Sequence, residues 1–102
     1  MRMFTEDGFL VDWTAWTEDL AIEIAARHDI VLTAEHWTVI QFVRDFYATY
    51  QTTPPIRVLV KTLKETYGPE VGNSVYLQRL FPPSAAKEIA RIAGLPKPKK
   101  CI

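Results

Sequence analysis

The residue best suited to covalent chemistry is the single cysteine, Cys101, next to last in a chain of 102 residues. The thiolate is the nucleophilic form of a cysteine, and nearby cations favour it. Lys97, Lys99 and Lys100 stand close by in sequence, with the terminal carboxylate opposing them. The segment reads Leu95-Pro96-Lys97-Pro98-Lys99-Lys100-Cys101-Ile102. Each proline removes a backbone donor and fixes φ, so this stretch predicts an extended, semi-rigid arm rather than a packed element. Fully extended, it would project the sulfur by roughly 20 Å. Such a thiol could attack a donor persulfide and carry the product to an acceptor. A mobile tip suits transfer between proteins better than bond-making on a small substrate, which needs a preorganised site. An incidental cysteine on a frayed, lysine-rich solubilising tail meets the same composition, and the tail alone leaves both readings open.

Other residues with chemical potential are weaker. One cysteine cannot form an internal disulfide. The two histidines, His28 and His36, have no second ligand at metal spacing, so neither a metal nor a cofactor is expected. Capping or surface roles suit both better than acid–base work. Trp13, Trp16, Trp37, Tyr47 and Tyr50 could stack on bases, but aromatics at helical spacing are far more often core. Arg57, Lys61 and Lys64 fall at i, i+4 and i+7, a basic stripe that could face a partner's carboxylates or RNA phosphates, or simply water. Arg79 and Arg91 are further candidates for contact with a retracted thiolate.

The zero net charge conceals a split. Residues 1–37 carry eight acids and two bases; residues 38–102 carry four acids and ten bases. Such asymmetry can mark a partner surface or only a solvated one. No apolar run approaches the ~18 residues that span a membrane. The start, MRMFTEDGFL, lacks the basic-then-apolar pattern of a signal peptide, so a cytoplasmic location is expected.

These residues need elements to position them. Glu6-Asp7-Gly8 lies between aromatic and β-branched residues and predicts a short hairpin. Thr17 should cap a first helix, to about His28, with Leu20, Ile22, Ile24 and Ala25 as its apolar surface. Thr33 should cap a second, Ala34 to Tyr50, apolar over much of its circumference. Pro54-Pro55 starts a third, Ile56 to Tyr67, with Val58, Leu59, Val60 and Leu63 inward and Gly68-Pro69 ending it. A fourth runs from about Val71 to Leu80. Ser84 caps a fifth, Ala85 to Ala93, with Gly94 at the left-handed position beyond. One globular domain, 1–94, followed by an arm, 95–102, is the expected organisation.

Several stretches carry a resemblance. DGFLVDWTAW, LTAEHWTVIQFVRDFY, TTPPIRVLVK, GNSVYLQRLFP and the terminal IAGLPKPKKCI together span most of the chain. In them the sequence resembles the TusE/DsrC/DsvC family of small sulfur-carrier proteins, and within it the single-cysteine TusE branch. The resemblance implies an α+β fold, mostly helical: a short hairpin or meander on about five helices, with a helix-turn-helix-like portion and a flexible C-terminal arm. This chain begins late relative to the family, whose members carry an extra N-terminal strand, so a reduced sheet is expected. The family's penultimate cysteine maps onto Cys101. The second cysteine of two-cysteine members, eleven positions earlier, is replaced by Ala90, which leaves single-thiol persulfide relay. The activity implied is that of a sulfurtransferase-type carrier rather than a classical enzyme. The implied partners are a TusBCD-like donor complex and a tRNA 2-thiouridylase acceptor, with tRNA itself touched at most indirectly. The alternative is a single-cysteine regulatory or nucleic-acid-binding module working through the basic half.

Overall fold

Local capping chemistry sets most of the helix boundaries. The computed structural model describes residues 3–82 and 84–97, and all structural statements concern these. α1, Glu18–Arg27, starts where the Thr17 hydroxyl accepts the Leu20 N–H at 3.1 Å, and it ends at His28, with Asp29 following in the left-handed region. α2, Ala34–Tyr50, ends at Gln51, also left-handed, just ahead of Pro54-Pro55. α3, Ile56–Tyr67, follows Pro55 and stops at Gly68. α4, Ser74–Leu80, begins later than the sequence suggests. The Asn73 side chain accepts the N–H groups of Val75 and Tyr76 at 2.8 and 3.2 Å, and this cap overrides the apolar pattern from Val71. α5 is Ala85–Ile92.

The expected α+β class is not what the structure contains. Among the described residues there is no strand or sheet, and the N-terminal hairpin or meander is absent. Its place is taken by a tight loop with one isolated antiparallel bridge, Phe4 to Leu10. The Thr5 N–H donates to the Phe9 carbonyl at 2.7 Å and the Gly8 N–H to the Thr5 carbonyl at 3.0 Å. Beyond Val11, the Asp12 carboxylate accepts from Thr14 and starts a 3-10 turn, Trp13–Ala15, so pairing cannot extend. Phe9 and Leu10 are pulled into the core instead of lying along a ladder.

α5 is the packing centre, set against α1, α2 and α4. The core joins Phe9, Ile24, Val39, Ile40, Val43, Leu59, Leu63, Leu77, Phe81, Ile89, Ile92 and Leu95. Ile22 and Val58, expected on apolar faces, are exposed, as is Val75.

Candidate functional site at the root of the C-terminal segment

The last described residues form the root of the segment that ends in Cys101. Cys101, Lys99 and Lys100 themselves lie outside the described residues. The root is held at successive backbone carbonyls. The Trp16 indole N–H donates to the Ile92 carbonyl at 2.8 Å. Arg44 Nη1 donates to the Ala93 carbonyl at 2.7 Å, and its Nη2 to the Trp13 carbonyl at 3.1 Å. The Leu95 N–H returns to the Ala90 carbonyl at 2.9 Å. The Thr53 hydroxyl donates to the Pro96 carbonyl at 2.8 Å. Leu95 is fully buried, worth about 2 kcal/mol by the usual measure of apolar burial.

Arg44 is the hub. Its guanidinium lies 4.2 Å from the Trp16 ring centre and 5.1 Å from that of Trp13. A planar cation with forked donors can stack and bind two carbonyls at once, which a lysine cannot. Burial pulls the Arg44 pKa below the ordinary arginine value, with neighbouring Asp45 opposing, but an arginine starts so high that it stays charged. Gly94 completes the grip. Its φ is +72°, and a Cβ there would stand 2.5 Å from Trp16 Cδ1, so the indole lies where only glycine leaves room.

A second clasp ties the N-terminal loop to α5. Arg91 donates from Nε to the Asp7 carbonyl at 2.9 Å, pairs with Glu88 at 2.9 Å, and covers the Phe9 ring at 4.9 Å. Lys97 reaches the Asp7 carboxylate at 3.2 Å; both partners are about half exposed, so this pair is weak. Glu88 is 3% exposed, and His28 Nδ1 stands 3.5 Å from its Oε1. That oxygen has no hydrogen-bond partner.

The sequence candidates thus separate. Arg91 and Lys97 are brought together on Asp7, and both are partnered. Arg79 is exposed on α4, beside Ser74, Val75 and Gln78, and shares none of these contacts. Arg57, Lys61 and Lys64 lie exposed on α3 and form no ion pair among the described residues. His36 is buried and structural, bonded to Thr33 and to the Leu80 carbonyl. Sequence reasoning missed Arg44, Trp16 and Thr53 as the residues that hold the root. The available signal was an arginine set between Ile40, Val43 and Tyr47 on an otherwise apolar face of α2.

Fold and site together define a small helical protein that grips the base of a cysteine-tipped terminal segment. The family model described as DsrC like protein matches residues 2–102, and the chain belongs to that family. It is 54% identical over 96 residues to the Sulfurtransferase TusE of Salmonella typhimurium, covering 94% of this chain and 88% of the relative. It is 52% identical over 96 residues to the Sulfurtransferase TusE of Escherichia coli K12, with the same coverage. Among solved structures, the NMR structure of Allochromatium vinosum DsrC superposes with a TM-score of 0.88 at 42% identity, over 97% of this chain and 88% of that one. The oxidized gamma-subunit of the dissimilatory sulfite reductase (DsrC) of Archaeoglobus fulgidus gives 0.81 at 44%, over 97% and 90%. No helix among the described residues is long and apolar enough to cross a membrane.

Proposed function

We propose that this protein is a sulfur carrier that accepts a persulfide sulfur on Cys101 and hands it to an acceptor protein. The observation that carries the reading is the 54% identity to proteins named Sulfurtransferase TusE, extending over nearly the whole chain. The single cysteine five positions beyond the anchored Pro96 suits that role. In the loading step the Cys101 thiolate attacks the outer sulfur of a donor persulfide. The donor's S–S bond breaks, its cysteine leaves as a thiolate, and a new S–S bond forms on Cys101. Transfer onward repeats the exchange with Cys101 as leaving group, so no outside oxidant or reductant is consumed.

In this reading residues 1–94 are the body and 95–102 the arm, with Leu95 and Pro96 as its anchored root. Lys97, Lys99 and Lys100 favour the thiolate, and Arg91 and Arg79 are secondary contacts for it. The donor is a TusBCD-like complex, the acceptor a tRNA 2-thiouridylase acting on wobble uridine, and the setting the cytoplasm. Intact mass tests it. Incubation with a cysteine-desulfurase relay adds ~32 Da, one sulfur atom, to the wild type and nothing to Cys101→Ser. A wild-type chain that gains no mass sinks the reading.

The exposed cations of α3, without an ion pair among the described residues, favour one second reading, a regulatory or nucleic-acid-binding module using Arg57, Lys61 and Lys64. Such a module would keep its activity in Cys101→Ser and lose salt-dependent binding when the stripe is neutralised.

A further inference from the structure

We infer that Arg44, with Trp16 and Thr53, is a positioning device that confines the Cys101 sulfur to one end of the molecule. The evidence is the run of donors along the root. Ile92, Ala93 and Pro96 each give their carbonyl to a side chain from elsewhere in the chain, at 2.7–2.8 Å. Those side chains come from the loop before α1, from the middle of α2, and from the α2–α3 link. Three elements distant in sequence therefore converge on five consecutive residues. Leu95 between them is buried.

The last anchor decides the reach. The carbonyl held by Thr53 belongs to Pro96, and from there to Cys101 five residues span at most about 18 Å. Were the root free from Ala93, eight residues would span about 28 Å. The volume open to the sulfur would then rise about fourfold, and its effective concentration at a partner docked at that end would fall by the same factor.

The end is defined by what flanks Pro96 and Lys97. One groove beside them is lined by Thr5, Asp7, Phe9, Leu10 and Val11. The other is lined by Tyr47, Gln51, Thr52 and Thr53. Glu35, Tyr67 and Tyr76 cluster about a separate hollow near the start of α2, which is roughly 25 Å of helix from its end. The molecule is 41 Å along its longest axis, so a tether of about 18 Å cannot carry the sulfur over the whole surface.

The inference rests on the carrier reading for its purpose but not for its test. Cys101 is the only cysteine, so a nitroxide placed on it reports where the sulfur goes without further substitutions. In the wild type, paramagnetic broadening of backbone amides is expected to be strongest at residues 5–11 and 47–53 and weak around Glu35, Tyr67 and Tyr76. Thr53→Val removes one hydroxyl and is expected to spread the broadening. Arg44→Gln with Thr53→Val spreads it further. If the double variant does not fold, Thr53→Val alone decides. A wild-type profile spread evenly over the molecule, or a folded Thr53→Val with an unchanged profile, overturns the inference.

Sulfur transfer gives the second arm. With the cysteine-desulfurase relay as donor, Thr53→Val should transfer up to about twofold more slowly and Arg44→Gln with Thr53→Val up to about fourfold, while loading by inorganic polysulfide, which needs no docking, is unchanged. Equal losses with both donors would reject positioning in favour of damage to the thiol's chemistry. A wild-type protein that takes no sulfur from the relay defeats the carrier reading and leaves the nitroxide result standing.

Discussion

The Trp16 indole N–H meets the Ile92 carbonyl at 2.8 Å across 76 positions of sequence, and the same indole lies against Gly94. One side chain thus supplies the end of α5 with a donor and occupies the space a side chain at residue 94 would need. Gly94→Ala is expected to cost about 2–4 kcal/mol, because it combines a clash with the ring and a left-handed backbone. Trp16→Phe, which leaves the buried carbonyl unpaired, is expected to cost about 1–3 kcal/mol. Urea denaturation of each variant measures both. A Gly94→Ala protein as stable as the wild type would mean that the indole moves aside freely and that the grip on the root is loose.

His36 illustrates a histidine whose polar atoms serve the fold. Nδ1 accepts the Thr33 N–H at 3.0 Å, Nε2 lies 2.7 Å from the Leu80 carbonyl, and the ring stands edge-on to Phe81. It therefore joins the start of α2 to the end of α4. His36→Ala is expected to destabilise by about 2–4 kcal/mol through lost packing and two orphaned backbone groups. Persulfide loading on Cys101, measured by intact mass below the new melting temperature, should be unaffected. Loss of loading in a folded variant would give His36 a chemical role that its partners do not suggest.

Helix positions were legible because their determinants are local. Thr17, Pro55 and Gly68 announce boundaries within a turn of where the helices begin or end. The hairpin was not legible. Glu6-Asp7-Gly8 does make a turn, but whether strands follow depends on Phe9 and Leu10 docking into the interior and on Asp12 capping the next turn. The grip on the arm's root was hidden for another reason. Its acceptors are backbone carbonyls, which every residue possesses, and its donors lie 43 to 76 positions from their targets. Arg44 in an apolar helix face was the one visible sign. The cysteine itself was conspicuous as a lone thiol directly after two lysines, but the tail alone fits an incidental residue equally well, and only the resemblance of the whole chain chose between the two.

The α3 stripe yields a prediction about stability. Arg57, Lys61 and Lys64 are exposed and form no ion pair among the described residues, so replacing all three by alanine removes charge from the surface of α3. Unfolding free energy should change by no more than about 0.5 kcal/mol. Loading of Cys101 by polysulfide should match the wild type. Salt-dependent RNA binding that disappears in this variant and survives in Cys101→Ser would instead establish the module reading.

Tyr76 offers a test by pH. Its hydroxyl donates to Glu35 Oε2 at 2.8 Å. Partial burial, and then the hydrogen bond and charge of Glu35, push its pKa from 10.0 to about 12. The folded state therefore holds this proton more tightly than the unfolded chain does. The resulting stabilisation is complete below pH 10, and it is lost as the pH climbs through about 12. Ionisation would set a phenolate directly against the Glu35 carboxylate, which is the physical content of the shift. Subtracting the near-ultraviolet titration of Tyr76→Phe from that of the wild type should leave one phenolate transition centred near 12. The difference in unfolding free energy between the two proteins should shrink over the same interval. A transition centred at 10, or a difference that does not vary with alkaline pH, would mean that the Tyr76–Glu35 contact does not persist in solution.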